Sequence, residues 1–136
     1  MNPSSNTQLL LDPPKEISFN YFPKKYLSSI LKLTNIRDYP VAFKVKTNVP
    51  AHYVVKPHIG AIPSNCSVEI NITMQPTDYN PQNASISDKF LVEAVPVPAN
   101  IDLSSLSDPS QFQQLWSSTS KSQAQSDKLK VVLKFD

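Results

Sequence analysis

Glycine is nearly absent: Gly60 is the single one in 136 residues. Neither a GxGxxG turn nor a P-loop can be written with one glycine, so the Gly-rich phosphate cradles are excluded. Cysteine is as scarce. Cys66 stands alone, which rules out an internal disulfide and fits a reducing compartment such as the cytosol. His52 and His58 are the two histidines. With one cysteine in the chain and no paired carboxylates beside them, they lack zinc-ligand spacing and read as surface or loop residues. There is no G-x-S-x-G and no H-E-x-x-H. No apolar run approaches the ~18 residues of a membrane span, and the opening MNPSSNTQ has no apolar signal-peptide core. The residues therefore offer no catalytic site, no metal site and no cofactor site.

Proline, by contrast, occurs thirteen times and must sit in turns, at strand starts or on edges. Apolar content of 40% against 18% charged describes a globular chain. Its length suits one domain, residues 1–136, with 1–6 as a flexible N-terminus. The formal net charge of +2 is too mild for nucleic-acid binding. Its distribution says more. Between Lys24 and Lys56 seven cations face Asp38 alone, and a locally basic surface suits an acidic partner. Three glycosylation triplets, at Asn65, Asn71 and Asn83, are common by chance and read as unused.

The periodic segments read as strands. EISFNYF places Ile17, Phe19 and Tyr21 on one face; SSILKLTNI turns Ile30 or Leu31, with Leu33, inward. VAFKVKTNV puts Val41, Phe43 and Val45 on one face and Ala42, Lys44 and Lys46 on the other. CSVEINITM alternates from Cys66 to Met74, which places Cys66 on the apolar face. DKFLVEAVPVP and KLKVVLKF are further strands, whereas TDYNPQNASIS reads as a loop. One segment differs. In SDPSQFQQLWSS, Asp108 or Ser107 caps a short helix with Pro109 at its first position. Phe112, Leu115 and Trp116 share one face of it, and the helix is expected to plug an open end of the sheets. Residues 117–126, rich in Ser and Gln, read as a flexible connection. About seven short strands and one helix before the last predict an all-β, immunoglobulin-like antiparallel sandwich.

Four stretches carry a resemblance: LLLDPPKEISF, VAFKVKTNVPAHYVVKPHIGAI, MQPTDYNP and DKFLVEAV. Together they resemble the major sperm protein (MSP) domain, most closely that of the VAMP-associated proteins, the VAP family. The resemblance runs along almost the whole chain. It implies an immunoglobulin-like seven-stranded sandwich without enzymatic activity or cofactor. It also implies a peptide-binding adaptor that recognises FFAT motifs, short peptides with two phenylalanines in an acidic tract. Such domains face the cytosol from the endoplasmic reticulum and tether lipid-transfer proteins at membrane contact sites. Family members often continue into a coiled coil and a membrane anchor. A chain with them would be anchored and would dimerise through them, and a chain without them would be cytosolic.

By the same resemblance, Lys44, Lys46, Thr47, Lys89 and Leu91 belong to the peptide groove, with Lys128 beside it. The family usually reads K-T-T where this chain has Lys46-Thr47-Asn48, and Met where it has Leu91. Met to Leu conserves volume; Asn48 keeps a polar side chain. Pro57 matches a proline on whose loop the family's folding depends. Lys44 and Lys46, adjacent on one face, suit a phosphorylated ligand as well as an acidic one. The alternative implied by the same fold is a self-assembling cytoskeletal protein, which would grow with concentration.

Overall fold

The computed structural model describes residues 7–76, 87–119 and 124–135. The loop expected over TDYNPQNASIS, except its last residue Ser87, and the N-terminal residues 1–6 lie outside them. Strand alternation is realised as two facing sheets. β1 (Leu9–Asp12), β3 (Leu27–Asn35), β7 (Ser67–Met74) and β5 (Tyr53–Lys56) form one, in the order β1-β3-β7-β5. β2 (Glu16–Asn20), β9 (Gln125–Lys134), β8 (Lys89–Pro96), β4 (Val41–Thr47) and β6 (Ile59–Ile62) form the other, in the order β2-β9-β8-β4-β6. All pairings are antiparallel except β2 with β9, which run parallel.

The described residues thus hold nine strands rather than about seven. β1 was hidden because LLLD shows no alternation, although its burial alternates: Leu9 is 1% exposed and Leu10 55%. The core lies between the sheets. Ile17, Phe19, Leu31, Leu33, Phe43 and Phe90 are all essentially sealed from water. Between the two inward candidates on β3, the structure selects Leu31; Ile30 points out and is 49% exposed. Gly60 lies against Phe43, and a Cβ there would stand 2.9 Å from the ring. The glycine therefore serves close packing.

Three expectations are corrected. Cys66 is exposed. The chain turns there, with Asn65 at a φ of 57° and Cys66 N–H donating to the Pro63 carbonyl, so the strand starts one residue later, at Ser67. The helix α1 (Pro109–Ser118) does form, but it lies on the outer face of the five-stranded sheet instead of plugging an end. Ala42 and Val95, opposed on β4 and β8, give it a small apolar landing. They pack with Val97, Leu106, Phe112 and Leu115 in a second core. A ten-residue helix is marginal alone; burying Phe112 and Leu115 contributes about 1.5–3 kcal/mol each. Ser117 and Ser118 fall within α1, and Gln125 and Ser126 within β9, so both ends of the expected 117–126 connection are regular structure.

Candidate functional site

The outward faces of β4, β8 and β9 line up in rows set by register. Lys46 is opposite Leu91, and Leu91 opposite Lys128. One step along, Lys89 is opposite Lys130. Like charges directly across strands cost stability, and this face places several together. Lys130 is relieved weakly by Glu16 at 3.9 Å, both being well exposed. A cavity of about 280 Å³ opens here, lined by Lys46, Thr47, Asn48, Lys89, Phe90, Leu91 and Lys128. It falls just below the ~300–1,000 Å³ of sites that enclose whole small molecules or cofactors. Its chemistry is an apolar floor with cations on both sides. A wider cleft of about 530 Å³, beside α1, is lined by Asp102, Ser105, Gln111 and neighbours with no cation among them.

Six of the seven residues expected in the groove therefore line one cavity. Asn48 does more than keep a polar surface. Its N–H donates to the Lys89 carbonyl (3.3 Å), its Oδ1 accepts from Lys89 N–H (2.8 Å) and its Nδ2 donates to the Ser87 carbonyl (3.3 Å). It staples the end of β4 to the start of β8. Thr47 Oγ1 accepts from Val49 N–H at 3.1 Å and turns the chain out of β4.

Lys44 is placed differently. Its ammonium lies 4.6 Å from the centroid of the Trp116 ring and 5.9 Å from that of Phe112, and these two rings stack on each other. Burial lowers its pKa from the ordinary value, and the neighbouring Lys46 charge lowers it further. Lys44 thus anchors α1 to the sheet beside the cavity instead of lining it. Period-two alternation shows that Lys44 points outward; it does not show that a helix covers that part of the face.

One supporting cluster was not singled out from the sequence. The Asp88 carboxylate, 8% exposed, accepts from the Tyr53 hydroxyl at 2.7 Å and lies 3.1 Å from His52 Nδ1. Its carbonyl accepts from Val131 N–H. These contacts fix the residue just before Lys89 to β5 and β9. The available signal was an acid directly preceding a strand, which is weak by itself. Pro57 lies in the turn between β5 and β6, after a cis Lys56–Pro57 bond. Among the described residues no group of His, Cys, Asp and Glu could hold a metal ion, and no helix is long and apolar enough to cross a membrane.

The two-sheet sandwich with this basic groove belongs to a class that comparison defines. Residues 8–121 match the model of the MSP (major sperm protein) domain, and the chain belongs to that family. Among curated proteins it is similar to vesicle-associated membrane protein-associated protein A of Bos taurus, at 33% identity over 124 residues, 91% of this chain and 46% of the relative. The same protein of Homo sapiens is 38% identical over 92 residues, 68% of this chain and 36% of the relative. The chain thus spans less than half the length of these relatives. Among solved structures, the C. elegans MSP family member WR4 superposes with a TM-score of 0.64 at 22% identity, covering 94% of this chain and 99% of that one. That likeness shows the fold.

Proposed function

We propose that the domain is a non-enzymatic peptide-binding adaptor that recognises acidic, phenylalanine-containing segments of the FFAT type. The observation that carries this reading is the coincidence of chemistry in one cavity. Leu91 and the lysine stems give an apolar floor suited to an aromatic side chain, while the Lys46, Lys89 and Lys128 ammonium groups stand around it. An extended peptide presenting a phenylalanine within an acidic tract matches both features. Lys44, one row away, adds to the attraction of acids toward this face. The similarity to vesicle-associated membrane protein-associated protein A supports a place on the cytosolic face of the endoplasmic reticulum. There the adaptor would tether lipid-transfer and other motif-bearing proteins at membrane contact sites.

The test is the double substitution Lys89→Glu with Leu91→Asp. Both side chains point away from the core, which Phe90 and Val92 fill, so the folded NMR spectrum is expected to persist. Binding of an acidic two-phenylalanine peptide, measured by calorimetry, should fall at least about a hundredfold, because the acids repel the peptide and make its aromatic pocket polar. Unchanged affinity would refute the site.

A further inference from the structure

Glu93 is an acid in close contact with a lysine of the groove. It lies on the outward face of β8, two residues after Leu91 and directly opposite Lys44. Its Oε1 is 2.8 Å from Lys46 Nζ. The pair is asymmetric. The Lys46 side chain is 54% exposed and the Glu93 side chain 24%. The contact is close but off the hydrogen-bond direction, so Oε1 is shut off from water without a hydrogen-bond donor among the described residues. Lys44, the residue opposite, has its own ammonium turned onto Trp116. The carboxylate is therefore the sheltered partner of the pair and the ammonium the one open to solvent.

We propose that Glu93 is an internal competitor for Lys46: it occupies that ammonium in the free protein, and an acidic ligand binds by displacing it. The proposal rests on the peptide-binding reading above and names a residue that tunes it. A ligand carboxylate that takes Lys46 exchanges one acid for another, and the gain is small. The exchange also leaves Glu93 Oε1 shielded from water with only the Lys44 charge across the strand to offset it, since Lys46 is its one close ion-pair partner, and that costs free energy. A ligand group of higher charge offsets that loss better. Glu93 thus holds down affinity for singly charged groups at this corner of the groove. The opposite role, in which Glu93 holds Lys46 in a binding-ready position, predicts a change of opposite sign.

Calorimetry with an acidic two-phenylalanine peptide at fixed salt separates these outcomes, using wild type, Glu93→Gln, Lys46→Met and the double variant. Gln keeps the shape of Glu93 and Met keeps the stem of Lys46; a dispersed NMR spectrum checks each fold. Glu93→Gln is expected to bind about three- to fivefold tighter, the upper part of the range a partly exposed ion pair spans. That gain should vanish in the Lys46→Met background. Weaker or equal binding by Glu93→Gln would overturn the proposal. A gain that survives in Lys46→Met would also overturn it, since the effect would then be one of net charge. If wild type itself fails to bind, the peptide-binding reading falls, and the competitor role falls with it.

Discussion

The Asn35 side chain, on a residue 1% exposed, serves the ends of three strands at once. The two hydrogens of its Nδ2 serve three carbonyls, those of Tyr39 (2.8 Å), Ile62 (3.0 Å) and Pro63 (3.1 Å), one hydrogen being shared, and its Oδ1 accepts from Arg37 N–H (2.8 Å). Asn35→Ala would leave those buried groups short of partners, and we expect a loss of about 3 kcal/mol. Urea unfolding should show a lower midpoint at constant slope; a loss under about 1 kcal/mol would contradict this role. In sequence Asn35 is only a polar residue before a turn, since nothing local reveals the carbonyls that β6 brings to it. Lys44 has a similar history. Its outward direction was legible, its aromatic neighbours were not. The chain has one tryptophan and five tyrosines, so fluorescence excited at the red edge, where tyrosine does not absorb, reports Trp116 alone. Lys44→Ala should alter that emission and cost about 0.5–1 kcal/mol, whereas Lys46→Ala should leave the emission unchanged. Equal effects from both would refute the Lys44–Trp116 contact.

At the scale of the element, α1 was the best-read segment and β1 the worst. The helix start was legible because Asp108, Pro109 and the spacing of Phe112, Leu115 and Trp116 each act locally. Its seat on the sheet depends on Ala42 and Val95 meeting across strands, which only register decides. The helix start also predicts a pH dependence. The Asp108 carboxylate accepts from the Ser110 hydroxyl (2.8 Å) and N–H (2.9 Å), and these bonds hold its pKa below the ordinary carboxylate value. A depressed folded pKa means the stabilisation is complete above the unfolded value and is lost as pH falls through the folded one. The protection factor of the Ser110 amide, its exchange rate referred to the intrinsic rate at the same pH, should therefore fall on acidification through that window. Asp108→Asn, which caps without titrating, should remove this site's share of the dependence. An identical acid response in the variant would show that the cap is not the cause.

Across the whole molecule, two sheets close the core and leave one outer face strongly basic. The sequence pointed to the members of that face because alternation assigns Lys46, Lys89 and Leu91 a direction, and family resemblance linked them to one another and to Lys128. Their row order, with Leu91 between Lys46 and Lys128, comes from long-range pairing that local pattern does not encode. The outer face of the four-stranded sheet is different in kind: Ile30 and Val54 are exposed there without a comparable cluster of cations. The most direct test of the account is an NMR titration of the domain with an acidic two-phenylalanine peptide, read residue by residue. The account predicts saturable shifts in one contiguous patch at Lys46, Thr47, Asn48, Lys89, Leu91 and Lys128, weakened by added salt because charge steers the encounter. Shifts centred on Ile30 and Val54, or no saturable shifts at all, would contradict it.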